Sequence, residues 1–366
     1  MPGATRAVGL MSGTSMDGVD AALVRLADGA PPRLEAFLAE PYPETLADRL
    51  RAVDAGTPLA EVLALDAELA AVFAGAVGAL LASAGCKAAE VDVIGCHGQT
   101  VWHAPNATPP VTCQLGDPSR LAEATGCTVV ADFRQRDMAA GGEAAPLAPL
   151  FHAALFGGDA PRAVLNLGGI GNLTVLGAGA RVRQGFDCGP ANTLLDAWAR
   201  RHLGRPMDED GHWAAAGRVD EALLARLLAD PYFQRPPPRS TGPEHFNLGW
   251  LEHHLAGGEA PADVQATLAE LTARSVADAV NQWAPEAGEV LVCGGGANNG
   301  ELMRRLAAAL PGCRVASTAS AGVPPEAVEA VGFAWLAGET LAGRAVDLRR
   351  VTGSRHPVRL GGIYPA

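Results

Sequence analysis

The sequence predicts an α/β protein of two lobes, and three observations carry that prediction. The chain has 366 residues, which suits two domains of about 100–200 residues each. It opens with strand, glycine-rich turn, strand and strand, and a second passage of the same form begins near residue 163. After each passage the apolar pattern changes to a helical period.

Val8–Met11 and Val19–Leu26 read as strands around a Ser/Thr/Gly/Asp turn, and Arg33–Glu40 as a third. Helical patterns follow at Glu44–Ala55 and Leu59–Ala84, then a strand at Val91–Cys96. A helix at Pro118–Thr125 and a strand at Thr128–Ala131 close the first half. The second half starts with strands Ala163–Leu167, Asn172–Leu176 and Arg181–Phe186, with Gly168-Gly169-Ile170-Gly171 between the first two. Helices are expected at Pro190–His202, Val219–Ala229, Ala262–Trp283, Gly300–Leu310 and Pro325–Leu341, with strands at Glu289–Cys293 and Cys313–Ala316. The expected lobes are residues 1–135 with about 342–366, and residues 136–341. The two openings suggest an internal duplication, with a ligand met between the lobes by one glycine turn from each.

Composition narrows the function. Hydrophobic residues at 48% and charged residues at 19% support a real core. A net charge of −12 argues against nucleic acid as a partner. Of 28 basic residues only Lys87 is a lysine, in Gly85-Cys86-Lys87-Ala88, which fits neither a P-loop nor a protein-kinase strand lysine. Any phosphate site must therefore be built without lysine. The seven cysteines form no Cys-x-x-Cys, so reduced thiols in a cytoplasmic protein are expected rather than a zinc site or disulfides. Met1–Arg6 leads straight into a strand, so no signal peptide is expected. Leu69–Cys86 lacks charge for 18 residues but is mostly Ala and Gly, and reads as a buried helix rather than a membrane span.

Six segments carry candidate chemistry. Gly13-Thr14-Ser15-Met16-Asp17-Gly18-Val19-Asp20 offers hydroxyls and successive backbone N–H groups, either an anion cradle or an ordinary turn. Asn166-Leu167-Gly168-Gly169-Ile170-Gly171-Asn172 is its counterpart in the second half. Glu289–Cys293 running into Gly294-Gly295-Gly296 invites a dinucleotide-binding reading, but Asn299 stands where the third glycine belongs. A glycine shelf for a nucleotide base or sugar fits better. Asp187, in Phe186-Asp187-Cys188-Gly189-Pro190, is either a general base or the N-cap of the helix from Pro190. His97-Gly98-Gln99-Thr100, after a buried strand, and Arg134 with Arg136-Asp137 form two polar loops, and His97 and His103 are poorly spaced for a metal.

Together these segments resemble one family. Gly9-Leu10-Met11-Ser12-Gly13-Thr14-Ser15-Met16-Asp17-Gly18-Val19-Asp20 is similar to the signature of the anhydro-N-acetylmuramic acid kinases. The likeness continues, in order, through His97-Gly98-Gln99-Thr100, Asp132-Phe133-Arg134, Ala145-Pro146-Leu147, Asn166-Leu167-Gly168-Gly169, Phe186-Asp187-Cys188-Gly189-Pro190, Ser240-Thr241-Gly242, Gly294-Gly295-Gly296, Pro325–Ala330 and Val351-Thr352-Gly353. The chain departs from the family pattern at Glu143-Ala144, where Gln-Gly is usual, and at Pro243, where Arg is usual.

The resemblance implies a two-lobed sugar kinase/Hsp70/actin-like fold, ribonuclease H-like in each lobe, with ATP and Mg²⁺ in the interlobe cleft. It implies conversion of 1,6-anhydro-N-acetylmuramic acid, ATP and water into N-acetylmuramic acid 6-phosphate and ADP, in cell-wall recycling, by a homodimer without a membrane partner. ATP would contact Gly13–Asp20, Asn166, Gly168, Gly169, Gly294, Gly295 and Gly296, and Asp187 would be the catalytic base. His97, Gln99, Thr100, Arg134 and Glu329 would face the sugar, with Arg134 suited to the lactyl carboxylate. The metal's protein partner stays open between Asp17 and Asp187, acting through water. Two rivals remain on the same fold: an ATP-binding regulator and a kinase for another amino sugar.

Overall fold

The computed structural model describes residues 5–366. The expectation about a leader rests partly on residues 1–4, which lie outside the described residues. Twelve strands are present among the described residues: β1 (Thr5–Ser12), β2 (Gly18–Leu26), β3 (Arg33–Pro41), β4 (Val93–Ala104), β5 (Val111–Leu115), β6 (Val129–Ala131), β7 (Arg162–Leu167), β8 (Ile170–Gly177), β9 (Arg181–Pro190), β10 (Glu289–Cys293), β11 (Arg314–Ser317) and β12 (Gly362–Tyr364).

The strands form two sheets with one plan. In the first, the order β3-β2-β1-β4-β6 has antiparallel β1–β2 and β2–β3 and parallel β1–β4 and β4–β6. In the second, β9-β8-β7-β10-β11 repeats that order and those directions. An antiparallel meander followed by two parallel crossover strands is the ribonuclease H-like order, so the expected fold class and duplication are present. β5 and β12 are additions to the first sheet.

The chain divides into two compact units. One runs to Leu155 and resumes at Ala327–Ala366; the other is Phe156–Glu326. The borders expected from sequence are near 135 and 342, which would place the helix Val328–Leu341 in the second lobe. This helix instead packs on β1, β2 and β4 of the first unit. Two glycines make that packing possible. A Cβ on Gly9 would sit 1.8 Å from the Ala330 carbonyl oxygen, and one on Gly95 would sit 2.1 Å from that of Phe333.

On one side of the first sheet lies the helix Leu59–Ser83. Leu65, Leu69, Phe73, Ala76, Val77 and Leu80 recur at helical spacing and are buried with Val8, Leu10, Ala21 and Ile94. Each large apolar side chain buried there contributes roughly 1.5–3 kcal/mol. Among the described residues this is the one helix long and apolar enough to cross a membrane; its apolar row belongs to the sheet's core. The second sheet is covered by Pro261–Trp283 and Gly300–Ala309, through Leu165, Leu173, Phe186, Val276 and Leu302. A further helical cluster, including Leu195, Trp198, Leu223 and Leu268, completes that unit.

Candidate active site

In the second unit, register brings separate motifs together. β10 pairs with β7 so that Cys293 meets Asn166. Asn166 meets Asn172 on β8, and Asn172 meets Asp187 on β9. Their neighbours Leu165, Leu173, Phe186 and Cys188 are buried in the core of this unit. Side chains alternate along a strand, so Asn166, Asn172 and Asp187 form a polar row on the opposite face. A β-bulge at Cys188 between β8 and β9 keeps Asp187 in that row.

Asp187 lies inside β9, three residues before its end. The helix it was a candidate to cap is Asn192–Leu203, with Ala191 at the N-cap, so capping is not its role. Its carboxylate accepts from Asn172 Nδ2 at 2.8 Å on Oδ1 and from the Thr241 amide at 3.0 Å on Oδ2. Its backbone is tied as firmly. Asp187 N donates to the Arg239 carbonyl at 3.1 Å, and the Asp187 carbonyl accepts from Arg239 Nε at 3.0 Å and Tyr232 Oη at 2.8 Å. Burial raises the Asp187 carboxyl above its ordinary value, opposed by the Asn172 and Thr241 bonds and by the Arg239 charge. The result is a fixed carboxylate of increased basicity.

The Gly168-Gly169 turn is held from one side. Asn192 Nδ2 donates to the carbonyls of Leu167 and Gly168, and the amides of Asn192 and Thr193 donate to those of Gly168 and Gly169. The C=O and N–H of one trans peptide point oppositely, so the N–H groups of Gly168 and Gly169 face away from the helix. A Cβ on Gly168 would make only ordinary contact, 3.7 Å from the Ile170 carbonyl oxygen, whereas one on Gly169 would meet Thr193 Oγ1 at 2.5 Å.

The third glycine segment adjoins this turn. Gly294 takes φ +77°, and a Cβ there would meet Asn166 Oδ1 at 2.3 Å. A Cβ on Gly296 would meet Leu167 Cβ at 2.6 Å, while Gly295 is open. The segment continues as a 3₁₀ turn, Gly295–Asn298, before the helix Gly300–Ala309.

The first unit carries the remaining candidates. Residues 13–17 are a turn closed by Met16 N donating to the Gly13 carbonyl at 3.3 Å. Thr14, Ser15 and Asp17 are exposed, and Ser15 Oγ donates to Asp17 Oδ1 at 2.8 Å. A Cβ on Gly13 would make only ordinary contact with Ser15 Oγ at 3.7 Å, but Gly18 abuts the Glu40 carbonyl. Val19 is core, and Asp20 is half-buried and pairs with Met11 and Ala39 within the sheet.

Gln99 is fully buried. Its Oε1 accepts from Ser12 at 2.6 Å, and its Nε2 donates to the carbonyls of Gly13 and Thr100 at 3.0 and 3.2 Å. Tyr42 Oη in turn donates to Ser12 Oγ at 2.7 Å. Gln99 thus acts on the Gly13 turn, and its amide is already spent there.

His97 to His103, expected as a loop beyond a strand, lies inside β4, because β5 pairs with that stretch. His97 Nδ1 bonds the Gly98 carbonyl at 2.7 Å and so carries the proton. Its Nε2 is then free to accept from Arg134 Nε at 2.7 Å. Arg134 Nη1 donates to the Ala144 carbonyl at 2.7 Å. Burial raises the Glu329 carboxyl, and the Arg134 charge opposes that rise. Thr100 is half-buried on the same strand, its hydroxyl accepting from Gln114 at 3.2 Å.

Behind Arg134, Asp137 is fully buried and accepts from the Ala144 amide at 2.8 Å and Thr352 Oγ1 at 2.9 Å. Ala144 takes φ +64°, the region glycine enters freely, so the family's glycine at this departure reads as a backbone requirement. None of the seven cysteines forms a disulfide.

Several contributors carried little sequence signal. Arg239, Tyr232, Ser12 and Tyr42 act through buried hydrogen bonds over long separations. Thr241 lay within the Ser240-Thr241-Gly242 motif and Asn172 at the end of the second glycine turn; β8–β9 pairing brings Asn172 to Asp187, and the folded Arg239–Thr241 segment brings Thr241.

Comparisons with known proteins agree along the whole chain. A relative from Xanthomonas axonopodis pv. citri, an anhydro-N-acetylmuramic acid kinase, is 54% identical over 366 residues, covering 98% of each chain. Relatives of the same description from Chromohalobacter salexigens and Bordetella petrii are each 52% identical, covering 98% of this chain and 98% and 96% of theirs. A ROK family glucokinase from Streptomyces griseus, in complex with glucose and AMPPNP, aligns with TM-score 0.42 at 16% identity, over 92% of this chain and all of its own. The family model for anhydro-N-acetylmuramic acid kinase matches residues 5–366. The chain therefore belongs to the anhydro-N-acetylmuramic acid kinase family, enzymes that transfer a phosphoryl group to an alcohol acceptor.

Proposed function

We propose that the chain converts 1,6-anhydro-N-acetylmuramic acid, ATP and water into N-acetylmuramic acid 6-phosphate and ADP, serving murein recycling as a cytoplasmic homodimer. The observation that supports this most is the held carboxylate of Asp187, bonded on both oxygens and raised in basicity. The anhydro sugar has no free 6-hydroxyl until its bridge opens, so the enzyme needs a base for water rather than for a sugar hydroxyl. Asp187 takes a proton from a water attacking C1. The C1 bond to the bridging oxygen breaks, and that oxygen bonds the γ-phosphorus as ADP leaves. The proton on Asp187 passes to solvent. Base catalysis of this kind is worth typically ~10²–10⁴-fold, and positioning supplies much of the rest.

The N–H groups of Gly168 and Gly169 suit phosphate oxygens, and Gly295, with nothing within 4 Å of an added Cβ, offers a bare shelf beside them. In the first unit, the exposed hydroxyls of Thr14 and Ser15 beside Gly13 also suit phosphate oxygens. His97, Thr100, Arg134 and Glu329 are the proposed sugar contacts, with Gln99 acting through the turn.

Mg²⁺ accompanies ATP. Such an ion needs only one or two carboxylates beside phosphate oxygens and water. Either Asp17, exposed and oriented by Ser15, or Asp187 would hold it through water, and the ion would neutralise phosphate charge. The test is a coupled ADP assay over a panel of amino sugars. ADP release only with the 1,6-anhydro form supports the reading; equal release without sugar, or faster release with ordinary N-acetylhexosamines, contradicts it.

A further inference from the structure

We infer that Asn172 and Thr241 seat the attacking water, with Asn172 Oδ1 accepting its retained proton and Thr241 Oγ1 donating to it. This rests on the proposed hydrolysis at Asp187. Eight buried side-chain polar atoms lack a hydrogen-bond partner among the described residues, and two of them, Asn172 Oδ1 and Thr241 Oγ1, belong to the residues that bond the Asp187 carboxylate. Each of these residues already spends another group on Asp187, on opposite oxygens. Asn172 uses Nδ2 on Oδ1, and Thr241 uses its backbone amide on Oδ2.

The orientation of Asn172 follows from chemistry. An ionised carboxylate only accepts, so the NH₂ side of the amide must bond Asp187, and Oδ1 is left beside it without a donor. Oδ1 then needs a donor, and burying it without one is costly. The Thr241 hydroxyl is likewise buried and can donate. A water at this point donates one proton to Asp187 and the other to Asn172 Oδ1, and accepts from Thr241. One lone pair is left, and it is the nucleophile. When the water attacks C1, the proton facing Asp187 transfers and the other stays on the new C1 hydroxyl, still bonded to Asn172. A general base acting alone would fix one of these directions and leave the water free to rotate.

The two residues separate by experiment. Thr241→Val keeps the backbone bond to Asp187 and removes only the hydroxyl. It is expected to lower kcat with the anhydro sugar by about 10–100-fold, leaving the KM for ATP and the acid limb of kcat/KM in place. Thr241→Ser restores the hydroxyl and is expected to recover kcat to within about threefold. Asn172→Ala removes a bond that favours the ionised carboxylate, so kcat falls and the acid limb moves to higher pH. Wild-type kcat in Thr241→Val, or a loss that Thr241→Ser fails to recover, overturns the inference. Asp187→Asn, assayed beside these, keeps the two levels apart. Activity in Asp187→Asn overturns the proposed function itself; an inactive Asp187→Asn with a fully active Thr241→Val overturns only the water seat.

Discussion

Arg134 donates from Nε to His97 Nε2 across 2.7 Å, and His97 is held in the tautomer that can accept. A protonated His97 would face a cation with no lone pair to offer. Burial sets His97 well below its usual value, and the Arg134 charge adds to the effect. The folded state thus resists a proton that the unfolded state takes up near its ordinary value of about 6.5. Stability is lost as pH falls below that value, by up to about 1.4 kcal/mol per pH unit for each such group. His152, pushed down to about 3 by burial, runs in the same direction, and the raised carboxyls of Asp137, Asp187 and Glu329 run in the other. The expected outcome is a smaller loss of stability between pH 7.5 and 5.5 in His97→Gln than in the unaltered chain, read by urea unfolding at both pH values. Equal losses would contradict the neutral assignment.

Two glycines of the N-terminal signature should separate by phenotype. Gly9→Ala forces a methyl into the Ala330 carbonyl oxygen, 1.8 Å away, and a backbone atom cannot give way cheaply. Overpacking of this kind costs typically ~1–3 kcal/mol or more. Gly13→Ala makes only an ordinary contact with the Ser15 side chain at 3.7 Å and is expected to change stability by less than about 0.5 kcal/mol. Its effect should appear as a raised KM for ATP. Urea unfolding of both variants, with ATP kinetics on Gly13→Ala, checks the pair.

Arg239 is a buried clamp. Nη1 serves the carbonyls of Tyr232, Phe233 and Arg235, at 3.4, 3.0 and 2.8 Å, while Nε serves Asp187, and the guanidinium lies over the Phe186 and Tyr232 rings. A lysine ammonium cannot reproduce that planar fork. Arg239→Lys is expected to destabilise by about 1–3 kcal/mol and to lower kcat more than it raises the KM for ATP. Thermal unfolding and steady-state kinetics check this, and an unchanged kcat would remove Arg239 from the support of Asp187.

Much of the fold was legible because hydrophobic period and glycine turns are local signals. β1 to β3 and β7 to β9 announce themselves in sequence, and their likeness exposed the duplication. The placement of Val328–Leu341 was not legible, since it depends on Gly9 and Gly95 opening the sheet to a helix more than 230 residues away. His97 to His103 was mistaken for a loop because its partner strand β5 is short and only weakly alternating. For Asp187, sequence left base and cap equally open. Pairing of β8 with β9 decided against the cap and brought in Asn172, and only the folded Arg239–Thr241 segment supplied the second hydrogen bond.

The central claim is that Asp187 is the base for the attacking water. Because burial raises its carboxyl, kcat/KM should fall on the acid side with a limb above the ordinary 3.8 of an aspartate, as the carboxylate takes up its proton. The most direct measurement is ADP release by Asp187→Asn with 1,6-anhydro-N-acetylmuramic acid, beside ATP binding by the same variant. The account predicts ATP binding within about threefold of the unaltered chain and turnover reduced by at least about 10²-fold. Turnover at the unaltered rate would contradict it.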